Sequence, residues 1–196
     1  YDDKNWRIIP EIKSDEQNVE KVRLFINQND LVNGFIAIAP GSVWNTKKYP
    51  SDYFEVIIKH FVDRKISIVL IGGENDKSIC EIIVSKFNDY VFNAAGIFSI
   101  VESIELLKST KLLLSNDSAP THMGMCADTK VLTIYCSTVP DFGFYPYNSK
   151  SSSISFNDLK CKPCGIHGYE ACPINIFECA MKLLPDQIIL KAEEML

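Results

Sequence analysis

From residue 35 onward, short apolar runs alternate with stretches whose apolar positions recur at helical spacing. Phe35-Ile36-Ala37-Ile38-Ala39, residues 66–71, residues 90–93, Leu112-Leu113-Leu114 and residues 130–135 read as strands, with a last short one at residues 154–156. Between them, residues 51–64 place Phe54, Ile57, Ile58 and Phe61 on one side of a helix. Residues 76–87, residues 100–108 and the stretch opening at Ser118 are further helices. Leu184-Pro185 separates two terminal helical pieces, the last over residues 186–196. Ahead of this series, Ser14 with Gln17 three residues on predicts a capped helix carrying Val19, Val22, Leu24, Phe25 and Ile26, then a loop over residues 27–34. Residues 1–10 have no period and read as linker. The expected organisation is therefore a linker and helix over residues 1–33, then one domain over residues 34–196.

Most of the strands are apolar without alternation. That is the mark of a parallel sheet covered by helices on both faces, an α/β Rossmann-like domain. Ligands of such sheets bind beyond the carboxyl ends of the strands. Pro40-Gly41-Ser42, Gly72-Gly73-Glu74, Ala95-Gly96 and Asn116-Asp117-Ser118 all fall at those ends.

The stretch Ser115-Asn116-Asp117-Ser118-Ala119-Pro120-Thr121-His122-Met123-Gly124 carries the most chemistry. An apolar strand enters it, Asn116, Asp117 and Ser118 can cap a helix, and Pro120 suits a first helical turn. A helix N-terminus at a strand end favours an anion such as phosphate. Ser118 and His122, four apart, share a helical face. Read by itself, the stretch is first a capped helix with an incidental histidine; the converging strand ends turn the reading to a binding site.

The net charge of −5, with no long basic run, argues against nucleic acid as the main partner. No apolar run approaches the roughly 20 residues that span a bilayer. Seven cysteines are present. Cys80, Cys126 and Cys136 fall within predicted elements and read as reduced, buried thiols, which points to a cytoplasmic chain. Cys161, Cys164, Cys172 and Cys179 cluster after the sheet. Their spacing fits a zinc site, disulfides or simply packed thiols.

Pro40-Gly41-Ser42, Lys47-Lys48-Tyr49-Pro50, Ile71-Gly72-Gly73-Glu74, Ala95-Gly96 and Ser115–His122 stand in one order. In that order they resemble the ADP-heptose:lipopolysaccharide heptosyltransferases, glycosyltransferase family 9. Cys161-Lys162-Pro163-Cys164 and Cys172-Pro173 also look like that family, and the resemblance runs from about Phe35 to the end. It implies the C-terminal, donor-binding half of a GT-B glycosyltransferase, with the N-terminal acceptor half absent from this chain. The implied function is transfer of heptose or a related sugar from a nucleotide diphosphate to a lipopolysaccharide core-type glycolipid. The implied transfer is inverting, metal-independent and without cofactor. A peripheral place at the inner membrane would accompany such an acceptor. The implied donor-binding residues are Ser42, Lys47, Glu74, Asp117, Ser118, Ala119 and His122. Lys47 would meet the diphosphate, with Lys48 as a weaker candidate. Glu74 would accept from ribose hydroxyls, a role Asp76 can share. Asp117 and Ser118 would offer backbone N–H groups. The catalytic base would lie in the N-terminal half. Two features bear on this picture. The family's cysteines have no established metal role, so packed thiols come before zinc. The arginine frequent after the family's last sheet strand has no counterpart in residues 138–147, which leaves the donor open. A nucleotide-binding module without catalysis and a zinc-stabilised interaction domain are the competing readings.

Overall fold

The computed structural model describes residue 8, residues 10–87 and residues 89–196; the linker expected over residues 1–10 lies outside them but for Ile8 and Pro10. The chain runs α1 (Glu16–Gln28), β1 (Phe35–Ala39), α2 (Ser51–Val62), β2 (Ile68–Leu70), α3 (Lys77–Val84) and β3 (Val91–Asn93). It continues α4 (Ile100–Leu107), β4 (Thr110–Asn116), α5 (Ala119–Cys126), β5 (Val131–Tyr135), β6 (Ser152–Ser155), α6 (Glu178–Met181) and α7 (Pro185–Met195). Single 3₁₀ turns sit at Asn45–Lys47, Glu74–Asp76 and Pro140–Phe142.

The six strands form one sheet in the order β3-β2-β1-β4-β5-β6, and every pairing is parallel. This is the doubly wound order, in which the connections leave in opposite directions from β1 and β4 and open a crevice between their carboxyl ends. The continuous apolar runs have the expected cause: β1, β2 and β5 are buried along their whole length. Within them, side chains still alternate between the two faces. Ile36, Ile38, Leu112 and Leu114 join Phe54, Ile57, Ile58 and Ile188 in one core beneath α2, α3 and α7. Phe35, Ala37, Leu113 and Val131 join Val22, Leu106, Leu107 and Met125 in the other, beneath α1, α4 and α5.

Several expected boundaries move, each for a local reason. The cap of α1 is Asp15, whose carboxylate accepts from the Asn18 N–H at 2.8 Å, while the Ser14 hydroxyl donates to Glu105 at 2.7 Å. Strand β4 runs past its apolar centre on both sides, because Thr110, Ser115 and Asn116 continue the ladder although polar. The last strand is Ser152–Ser155, not residues 154–156, since the edge strand needs little apolar content to pair with β5. Among the described residues no helix is long and apolar enough to cross a membrane.

Candidate functional site

The carboxyl ends of β1, β2 and β4 open into a cleft of about 560 Å³. Ile71, Phe98, Ile100 and Met123 give it an apolar wall; Ser42, Lys48, Glu74, Asp76 and Ser118 give it polar groups. A flat heterocycle against the first set, with hydroxyls or phosphates toward the second, suits this division.

Asn116 builds the centre. At the end of β4 it is fully buried. Its side-chain oxygen accepts from the Tyr49 N–H at 3.0 Å, and its side-chain nitrogen donates to the carbonyls of Pro40 at 2.8 Å and Gly41 at 3.3 Å. One amide thus fixes the path of the long loop after β1 against β4. Tyr49 is held from the other side, its hydroxyl donating to the Leu183 carbonyl at 2.7 Å. Burial pushes that hydroxyl well above its ordinary pKa, so it remains a donor.

Ser118 occupies the N-cap position of α5, but its hydroxyl does not cap the helix. It donates instead to the Asn116 carbonyl at 3.3 Å. Ser118, Ala119 and Pro120 line the cleft. The positive end of the α5 dipole therefore opens there without a side-chain acceptor over it. Asp117 departs from expectation: its backbone N–H is spent on the Ile134 carbonyl at 3.1 Å, so it has none to offer an anion. Its carboxylate is buried and meets Lys47 Nζ at 2.7 Å, and the Thr138 hydroxyl donates to the same oxygen at 2.7 Å. Lys47, its side chain 12% exposed, folds toward this carboxylate, while Lys48 lines the cleft and donates to Asn45 at 2.9 Å. A buried charge of either sign is held by its partner, and removing one leaves the other costly.

Glu74 lies on the 3₁₀ turn after β2, its side chain 76% exposed and 4.0 Å from Lys77. Its carboxylate passes over Gly96, where a Cβ would stand 2.5 Å from Glu74 Oε2. Asp76 accepts from the Gly73 N–H at 3.0 Å and fills the space beside Gly41, where a Cβ would come within 2.0 Å of its Oδ1. The glycines at the ends of β1 and β2 make room for this carboxylate. His122 does not join the group: it is exposed, its ring edge-on to Phe144 with centroids 6.4 Å apart.

The cysteines form a separate place. All seven are free thiols. Cys161, Cys164, Cys172 and Cys179 line one cavity of about 200 Å³. Among the described residues no group of three or more His, Cys, Asp or Glu is placed to hold a metal ion. Burial raises the thiol of Cys179 to about 11. Burial acts on Cys172 in the same sense, but the backbone N–H groups of Phe177, Ile174, Ile176 and Asn175 together outweigh it and bring that thiol below its ordinary value. Lys162 lies behind them, donating to the carbonyls of Tyr135 at 3.0 Å and Phe156 at 3.1 Å and to the Ser155 hydroxyl. Burial lowers its pKa.

Ser42, Glu74, Ser118 and Ala119 therefore share the cleft, Lys47 and Asp117 pair beside it, and His122 stands apart. The profile of glycosyltransferase family 9 (heptosyltransferase) matches residues 8–169. The chain belongs to this family. Lipooligosaccharide heptosyltransferase 2 of Campylobacter jejuni subsp. jejuni serotype O:2 is 25% identical over 177 residues, 86% of this chain and 54% of that protein. The family 9 glycosyl transferase of Veillonella parvula superposes with a TM-score of 0.80 at 19% identity, over 94% of this chain and 53% of that one. The ADP-heptose lps heptosyltransferase II of E. coli superposes with a TM-score of 0.75 at 19% identity, over 95% and 53%. At those identities the likeness shows the shared fold. The chain spans about half the length of these relatives.

The sequence suggested Asp76 for the ribose and Asn116 for a helix cap, not the contacts they make, and it did not distinguish Thr138. Asn116 carried a usable signal, a polar amide ending an apolar strand at the crevice of a parallel sheet. Thr138 carried none, since its role depends on Asp117 across the sheet.

Proposed function

We propose that this chain is the donor-binding part of a glycosyltransferase that moves heptose or a related sugar from a nucleotide diphosphate, ADP-heptose foremost, to a lipopolysaccharide core-type acceptor. The observation that carries this is the cleft at the ends of β1, β2 and β4, apolar on one wall and closed at one end by the uncapped start of α5. The base occupies the apolar wall, Glu74 accepts from the ribose, and the diphosphate reaches the α5 terminus between Ser42, Ser118 and Ala119. Lys47 swings the short distance from Asp117 to the phosphates. The leaving diphosphate gains charge as the sugar bond breaks, and Lys47 with the helix end neutralises it without a metal. The acceptor hydroxyl attacks from the side of the N-terminal half, with inversion. The acceptor's lipid places the protein at the cytoplasmic face of the inner membrane.

Calorimetry with ADP tests this. A charge-assisted contact contributes roughly 1.5–3 kcal/mol, so Lys47→Ala should weaken ADP by about tenfold or more. Adenosine, which has no phosphate, should bind as before. Unchanged ADP affinity would make Lys47 a partner of Asp117 and nothing more.

A further inference from the structure

We infer that the thiol-rich segment between β6 and α6 is a positioning element for Lys47, acting through Thr46. This rests on the reading of Lys47 as a diphosphate contact. The segment meets the donor side at Gly168 and Tyr169. The Thr46 N–H donates to the Tyr169 carbonyl at 3.0 Å, and the Tyr169 N–H donates to Thr46 Oγ1 at 2.8 Å. One residue of the 3₁₀ turn that carries Lys47 is thus clamped at both its backbone and its hydroxyl.

The clamp is buried and has a third side. Thr46 is 3% exposed. The Ser137 hydroxyl donates to Thr46 Oγ1 at 3.1 Å, and the Ser137 carbonyl accepts from the Cys164 N–H at 2.8 Å. The next residue is Thr138, which holds Asp117, which holds Lys47. Lys47 is therefore fixed at its stem by the Thr46 clamp, while its ammonium rests on Asp117 and is free to swing from there to the proposed phosphates. Residues 137–138 and the thiol-rich segment brace both ends.

Gly168 makes the contact possible. Its φ of +80° lies in the left-handed region, and a Cβ there would come within 2.9 Å of Thr46 Oγ1 and 3.3 Å of Lys47 Cγ. The segment leaves no room for a side chain between Gly168 and the stem of Lys47. A lysine is a flexible point charge, so a diphosphate gains from it in proportion to how far its position is set beforehand. This gives the segment a role in donor binding without its thiols entering the cleft.

The test compares Thr46→Val with Thr46→Ser in the protein that carries this chain in full, each titrated with ADP and with adenosine. Valine keeps the shape and removes the hydroxyl; serine keeps the hydroxyl. Thr46→Val should weaken ADP by about three- to tenfold, leave adenosine unchanged, and lose its effect when Lys47→Ala is already present. Thr46→Ser should bind ADP like the unaltered protein. Gly168→Ala, which presses on the same two atoms from the other side, should weaken ADP and spare adenosine. Equal weakening of ADP and adenosine, or an effect that persists without Lys47, would reduce Thr46 to a packing residue and overturn the inference. So would an unaltered ADP affinity in Thr46→Val where Lys47→Ala weakens it, an outcome that leaves the donor-site reading standing. If Lys47→Ala has no effect on ADP, that reading fails and this inference with it.

Discussion

At the scale of single residues, two neighbours at the end of β4 do opposite work. Asn116 satisfies a buried N–H and two carbonyls of the loop after β1, and nothing in water can replace it there. Asn116→Ala leaves the Tyr49 N–H and the Pro40 carbonyl unpaired, at about 1–3 kcal/mol for each such group. For a domain of this size, that corresponds to a fall of roughly 4–24 °C in Tm. Ser118 occupies the cap position, but its hydroxyl turns back to Asn116 at 3.3 Å, part-buried. A true cap would be worth about 1 kcal/mol. Ser118→Ala should cost about half that or less, and its effect should appear in ADP affinity. Thermal melts of both variants decide the matter: a Ser118→Ala melt as low as that of Asn116→Ala would show that the hydroxyl holds the fold rather than facing the donor.

At the scale of elements, the loops after β1 and β2 are locked together by one carboxylate in the space of an absent side chain. A Cβ on Gly41 would meet Asp76 Oδ1 at 2.0 Å and Oδ2 at 2.9 Å, and Asp76 is held by the Gly73 N–H. Gly41→Ala must displace Asp76 or the loop, and overpacking of this kind costs about 1–3 kcal/mol. Asp76→Ala empties that space. The double variant should therefore be more stable than the sum of the two single losses, a coupling read by denaturant titration. Strict additivity would show that Gly41 is needed for its own backbone and not for Asp76. Such contacts mark the boundary of what the sequence reveals. The strand centres were legible because burial on both faces leaves them apolar throughout, as in Phe35–Ala39. The strand ends were not, since Ser115 and Asn116 are polar by residue type yet buried. The glycines and acids at the strand ends were legible as the rim of a cleft, because a parallel sheet has one ligand-binding edge. The commitment of Asp117 to Lys47 was not, because residues 70 apart in sequence meet only through the β1–β4 pairing.

At the scale of the whole molecule, the described residues form one sheet of six parallel strands with helices over both faces and two cores that each close on their own elements. A unit of this kind can fold by itself, whereas the relatives are about twice its length. The 196-residue chain should therefore bind ADP and fail to transfer sugar. Transfer needs a base and an acceptor hydroxyl about 3–3.5 Å from the sugar carbon. Among the described residues, the acids near the cleft are already engaged. Asp117 is paired with Lys47 and accepts from Thr138; Asp76 accepts from Gly73; Glu74 lies over Gly96 on the proposed ribose side. His122 stands away against Phe144. ADP at 100 times its dissociation constant should stabilise the chain by about 2.7 kcal/mol, visible as a rise in Tm. Incubation with a nucleotide-sugar and a glycolipid acceptor should give no product until the proposed acceptor half is supplied. Transfer by the 196-residue chain near the rate of the two halves together would place the base on this side of the cleft, with Asp117 or Glu74 the first residue to replace.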